Sequence, residues 1–152
     1  RFGGHAMAAG LSLPPASLDQ FRAAFVAEVS RFTEAIDDTA RIWSDGELEP
    51  QDIELGLAEE LRRAGPWGQA FPEPAFEGYF EVLGQKIVGE FHLKLELLPA
   101  GANRPVPAIA FNQAELLPVS KSRKCFAVFK LDVNEFRQQR TVQLVVEHIE
   151  CV

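Results

Sequence analysis

From residue 76 onward, hydrophobic side chains return at every second position, and a period of two leaves little room for anything but β-structure. Phe91, Leu93, Leu95 and Leu97 alternate with His92, Lys94 and Glu96, the pattern of a strand with one buried and one wet face. Ahead of it, Phe76, Gly78, Phe80 and Val82 alternate with Glu77, Tyr79, Glu81 and Leu83. Residues 106–111 form a third segment. Cys125, Ala127, Phe129, Leu131 and Val133 mark the inward face of a fourth, and residues 141–149 form a fifth. Residues 113–117 read as a short helix between the third and fourth. Five strands in this order predict a small closed antiparallel barrel, with a five-stranded sandwich as the alternative.

The first part of the chain has a different period. Ser17-Leu18-Asp19-Gln20 is a capping box, and Leu18, Phe21, Phe25, Val29, Phe32 and Ile36 follow at spacings of three or four. That predicts a helix over 18–36 with a core-facing stripe. Residues 10–13 suit a short strand stopped by Pro14-Pro15, and residues 39–43 another. Ser44-Asp45-Gly46 is a turn signal. Pro50 suits the first turn of a second helix, with Ile53, Leu57 and Leu61 on its buried face and Gly65-Pro66 at its end. Residues 65–74 are too rich in Pro and Gly to be regular, and Trp67 and Phe71 mark them as a packed connection.

Composition narrows the class. The 152 residues are 47% hydrophobic and 24% charged, a globular mix. The net charge of −7 argues against an indiscriminate nucleic-acid binder. Residues 1–60 carry four basic and 12 acidic side chains, whereas residues 61–152 carry 11 and 10, so a polyanion site is expected in the second part. Cys125 and Cys151 make no CxxC motif and read as ordinary thiols of a reducing cytoplasm. No apolar run approaches the roughly 20 residues that span a bilayer. The chain opens Arg1-Phe2-Gly3-Gly4-His5, without Met, and reads as a piece of a longer protein.

Two regions carry chemistry. In Gly3-Gly4-His5-Ala6-Met7-Ala8-Ala9-Gly10 the glycines leave backbone N–H groups unblocked, as at a phosphate-binding helix start, and His5 adds a donor. A tight turn with a capping histidine explains the same residues equally well. The barrel order is that of the OB-fold, which binds oligonucleotides across its second and third strands and the first and last hairpin loops. There the second strand offers His92 and Lys94, a first loop over 84–89 offers Lys86, and a last loop over 134–140 offers Phe136, Arg137 and Arg140. Cations track a phosphate backbone and a ring can stack on a base. Ordinary surface lysines and a core Phe136 are the alternative. No metal-ligand cluster, P-loop or nucleophile elbow is present.

Residues 1–10 resemble the glycine–histidine motif of the DHH-associated domain in RecJ exonucleases. Gly65-Pro66-Trp67-Gly68 through Phe71-Pro72-Glu73-Pro74 resembles the connection that precedes their OB-fold. Gly89-Glu90-Phe91-His92-Leu93-Lys94, Ala108-Ile109-Ala110-Phe111-Asn112, Lys130-Leu131-Asp132-Val133-Asn134-Glu135-Phe136-Arg137 and Gln143-Leu144-Val145-Val146 resemble their strands. The resemblance implies an α+β chain: the end of an α/β DHH-associated domain over 1–45, a connecting helix and linker over 46–75, and a five-stranded antiparallel OB-fold barrel over 76–152. It implies a soluble, cytoplasmic, monomeric 5′-to-3′ exonuclease for single-stranded DNA in recombination and repair. Its manganese or magnesium would be held by a DHH domain ahead of Arg1, leaving this piece without metal or activity of its own. Gly3, Gly4 and His5 would then contact the DNA phosphate. The alternative is a barrel that docks a protein such as single-strand-binding protein. Gln138 stands where the family pattern leads us to expect glycine, which argues against a tight last hairpin.

Overall fold

Alternation fixes the core. In the computed structural model, which describes residues 2–5, 7–33, 41–116 and 124–152, the odd-numbered side chains from Cys125 to Val133 are all buried, as are Leu93, Leu95 and Leu97. They line five strands: β3 (Phe76–Val88), β4 (His92–Pro99), β5 (Val106–Ala110), β6 (Lys124–Phe136) and β7 (Gln139–Cys151), closed in the order β3-β4-β5-β7-β6. The small inward residues Ala108, Ala110 and Ala127 are fully buried beside Phe129 and Leu144, so small and large side chains interdigitate in a narrow interior. Four of the pairings are antiparallel. The fifth, β5 with β7, is parallel through Ala108↔Leu144 and Ile109↔Val145, which corrects the expectation of an all-antiparallel barrel. The segment between β5 and β6 contains a 3-10 turn at Ala114–Leu116. Gln113 Nε2 donates to the carbonyls of Val146 and Glu147 at 3.5 and 3.2 Å, where a bulge interrupts β7.

The chain divides into two compact units, Arg1–Arg41 and Ile42–Val152. The second therefore includes residues expected only as a connection. Helix α2 (Leu55–Ala64) packs on β6 and β7, and Ile53 and Ala58 join the barrel core with Leu57 and Leu61 packed against it. Pro50 lies in a turn ahead of α2 and not in its first helical turn. Ser44-Asp45-Gly46, expected as a turn, is irregular but locally braced: Gly46 has φ +108° and its N–H donates to Ser44 Oγ at 3.0 Å. Asp45 Oδ2 accepts from Ala75 N at 3.0 Å, and Glu77 N donates to Gly46 O at 3.0 Å, so this segment is laced to the start of β3. Residues 41–46 are irregular; of the strand expected over 39–43, residues 39–40 lie outside the described residues. Gly68 and Phe71 exchange backbone hydrogen bonds, and the rings of Trp67 and Phe71 meet at 4.9 Å, so the connection is ordered as expected, but Phe71 is 60% exposed and not packed away.

The first unit holds a two-stranded ribbon, β1 (Phe2–His5) with β2 (Ala8–Leu11), and helix α1 (Leu18–Thr33). Residues 34–40, including Ile36, lie outside the described residues. The stripe expected as core is exposed: Phe25 is 57% and Phe32 64% accessible. One ribbon and one helix supply too little surface to bury it.

The last hairpin is a two-residue turn. Phe136 pairs with Gln139, while Arg137 and Gln138 have φ +50° and +63°, the signs a type I′ turn needs at both central positions. The tight turn forms without the expected glycine. A left-handed non-glycine residue costs roughly 1–2 kcal/mol, partly offset by the greater unfolded freedom of glycine. Gln138→Gly should raise stability by about 0.5–1 kcal/mol. In urea titration the midpoint should rise with an unchanged m-value; an unmoved midpoint would mean the turn is unstrained.

Candidate nucleic-acid interface

Because Leu93, Leu95 and Leu97 point inward, His92, Lys94 and Glu96 point outward. Lys86 joins them from β3, in a strand and not in the loop expected over 84–89; the turn is confined to Gly89, Glu90 and Phe91. A bulge at Leu83 makes this possible. Val82 pairs with Leu97 but Gly84 with Glu96, and from there Lys86 falls directly opposite Lys94. Like charges opposite each other across an antiparallel pair have Cβ atoms roughly 5 Å apart and destabilise it. Neither lysine has an ion-pair partner among the described residues. They share a shallow groove with Gly84, Val88 and Glu96. Gly84 lets Glu96 fold down onto β3, since a Cβ there would lie 3.1 Å from Glu96 Oε2. Across β4 the row continues through Ile109, opposite Lys94, to Val145 on β7.

His92 is held in place. Its Nδ1 accepts from Asn112 N at 3.1 Å, so the neutral ring carries its proton on Nε2. Its ring meets Phe111 edge-on, centroids 5.2 Å apart. Sequence reasoning passed over Phe111, although its alternation with inward Ala108 and Ala110 was a signal that it faces outward.

The β6–β7 hairpin places its residues differently. The Arg137 guanidinium lies over the Phe136 ring at 5.2 Å, so Phe136 is neither a core residue nor a bare ring. Arg140 is in a strand, and its Nη1 and Nε contact Glu59 Oε1 at 2.8 Å and Glu135 Oε1 at 3.3 Å. Arg62 on α2 also reaches Glu135, at 3.2 Å. The charge of Arg140 is committed to this network, which ties α2 to the hairpin. The register sets Leu93 beside Ala110 at the C-terminal end of β5, whereas the β6–β7 tip, Arg137 and Gln138, lies six to seven residues before Leu144, the partner of Ala108. The two hairpin tips therefore flank the β4–β5 face from opposite ends. Lys86, Lys94 and His92 come together; Phe136 and Arg137 stand apart from them.

In the first unit, Gly3, Gly4 and His5 lie in β1, exposed, with His5 opposite Ala8. They belong to a hairpin and not to the helix start expected for an anion site. A Cβ at Gly4 would stand 3.2 Å from Ala9 Cβ, whereas none would meet anything at Gly3. Among the described residues, no three His, Cys, Asp or Glu side chains gather as metal ligands.

A closed five-stranded barrel with a 3-10 insert between its third and fourth strands defines an OB-fold domain. The family model for the RecJ OB domain matches residues 44–148, and the chain belongs to that family. It is 51% identical over 150 residues to the single-stranded-DNA-specific exonuclease RecJ of Dickeya dadantii, covering 98% of this chain and 26% of that protein. It is 42% identical to the protein of the same name from Escherichia coli, with the same coverage. The chain thus spans about a quarter of the length of these curated relatives. The crystal structure of RecJ with Mg2+ from Thermus thermophilus superposes with a TM-score of 0.68 at 24% identity, over all of this chain and 23% of that one; at that identity the likeness is one of fold.

The ion-pair network yields a prediction. Arg140→Met, which keeps the aliphatic stem, should lower stability by roughly 0.5–1 kcal/mol, since half-exposed pairs contribute little singly. Combined with Glu59→Gln, the loss in denaturant titration should fall short of the two single losses added together. Strict additivity would show that the pair contributes nothing.

Proposed function

We propose that this chain guides single-stranded DNA within a RecJ-type 5′-to-3′ exonuclease of recombination and repair in the cytoplasm, working as a monomer. The observation that carries the reading is the pair Lys86 and Lys94, set opposite each other on the outer face of an OB-fold without acidic partners among the described residues. A phosphate between two such lysines relieves their repulsion. His92 lies beside them on the same face, and Arg137 with Phe136 extends the path at its far end. The ion pairs of Arg140 make it a support of that hairpin. The proposed domains are the end of a DHH-associated domain over 1–45, a connection over 46–75 and the OB-fold over 76–152. In the first of these, Gly3, Gly4 and His5 contact a phosphate, and the manganese or magnesium of the whole enzyme is held elsewhere.

A second reading is favoured by one surface feature. Tyr79, 53% exposed with its ring 5.3 Å from that of Phe126, lines an apolar pocket with Phe80, Leu98 and Pro99. Such a pocket suits a docked protein, with single-strand-binding protein as the candidate.

Salt titration separates the two. Each phosphate contact on a single strand contributes about 0.7 to the slope of log affinity against log salt. Replacing Lys86, Lys94 and Arg137 with Gln should weaken oligonucleotide binding in fluorescence anisotropy and flatten the slope by roughly two units. An unchanged slope would move the protein-docking reading to first place. The chain alone should release no nucleotide from a 5′ end with manganese present; metal-dependent release, once contaminating nuclease is excluded, would refute this. In the whole enzyme, His5→Ala should cut turnover roughly 100-fold through loss of a donor to the scissile phosphate. Normal turnover with a lowered melting temperature would show a turn residue instead.

A further inference from the structure

We propose that Cys125 and Cys151 are a reversible thiol–disulfide pair, joined by an oxidising glutathione pool into a cross-strand bridge that locks the end of the β6–β7 ladder. The two cysteines are far apart in sequence and make no CxxC motif, yet they are register partners, Cys125↔Cys151. The hydrogen bonds say which kind of pair they are. Val152 N donates to Lys124 O at 3.2 Å, a ladder bond just outside the cysteines. In an antiparallel ladder, a bond at that place makes the neighbouring pair a non-hydrogen-bonded one, with opposite Cα atoms about 4.5 Å apart. A disulfide spans Cα separations of about 4.4–6.8 Å, so the backbone need not move to admit one. Lys124 and Val152 also line the apolar pocket with Tyr79, Phe80, Leu98 and Pro99. A bridge one residue behind them would suppress opening of the ladder at that wall. The inference concerns the thiols and stands whether or not the chain binds DNA.

Burial sets the order of the chemistry. Cys125 stands as a thiol with no exposed surface, between its register partners Phe80 and Cys151. A tripeptide disulfide cannot reach it, so the first exchange is assigned to Cys151. The Cys151 thiolate attacks one sulfur of glutathione disulfide: a Cys151–glutathione bond forms, and one glutathione thiolate leaves. The Cys125 thiolate then attacks the Cys151 sulfur, which forms the Cys125–Cys151 bond and expels the second glutathione. The two protein thiols give up two electrons and two protons, which pass to the two departing glutathione thiolates. Excess reduced glutathione drives the same steps backward. Such a bond suits a reducing cytoplasm as a transient, redox-sensing one.

The test holds the 152-residue chain in buffers of set reduced-to-oxidised glutathione ratio, quenches in acid, alkylates the remaining thiols and reads the products by mass spectrometry. The native chain should lose two hydrogens and yield one linked peptide pair holding Cys125 and Cys151, and excess reduced glutathione should restore both thiols. A native disulfide and the fold stabilise each other, so the equilibrium constant for bridging should be about 30- to 700-fold larger in the native chain than in urea. That comparison needs no variant to fold. Cys125→Ala should stop at a glutathione adduct on Cys151, and Cys151→Ala should take up none. A native chain that stays reduced at every ratio, that bridges no better than the unfolded one, or that forms disulfides between chains would overturn the proposal. A glutathione adduct on Cys125 in Cys151→Ala would overturn the order of the two exchanges.

Discussion

The barrel is closed by its shortest contact. β5 has five residues, and its parallel pairing with β7 rests on two register pairs, Ala108↔Leu144 and Ile109↔Val145. Without them the sheet would present two edges and an open apolar interior, and β4, β5 and β7 would not share one outer face. The alanines explain why so short a pairing suffices. Ala108 and Ala110 have no exposed surface, and their small side chains share one buried cluster with the large Phe129 and Leu131. The outward row from Lys86 through Lys94 and Ile109 reaches Val145 only because this seam holds.

Much of the fold was legible because the barrel obeys one rule. The inward faces of β4 and β6 follow from alternation alone, since water on one side and core on the other impose a period of two. On α2 the four-residue spacing found Leu57 and Leu61, which pack against the core, but it put Ile53 in the helix, whereas Ile53 precedes it, and it missed the buried Ala58. What escaped was set by pairing between distant segments: the parallel sense of β5 and β7, and the strand character of residues 84–88. The left-handed pair Arg137 and Gln138 escaped because the twist of the flanking strands imposes a I′ geometry on residues that do not favour it. On α1 the periodicity was read correctly but the burial was not, because a stripe declares that a face seeks a partner and not where the partner is.

The candidate site was legible in its residue types and less so in its arrangement. Lys94 and His92 could be placed outward from the inward leucines. Arg140 could not be separated from Arg137 by spacing, since its acidic partners Glu59 and Glu135 come from a helix about 80 positions earlier and from the facing strand. Counting cations in a hairpin therefore overstates how many are open to a ligand.

The bulge at Leu83 has a further consequence. Up to Val82 the even-numbered side chains of β3 face inward; beyond it the odd-numbered ones do, as Lys86↔Lys94 and Ile87↔Leu93 show. Whether a cation or an aliphatic chain stands opposite Lys94 at the far end of β3 is thus a matter of parity. Removing one residue would shift every position out to the turn to the opposite side, taking Lys86 off the face that it shares with Lys94. A surface of this kind can gain or lose its charge through a change in chain length alone, so insertions and deletions count as much as substitutions when its relatives are compared.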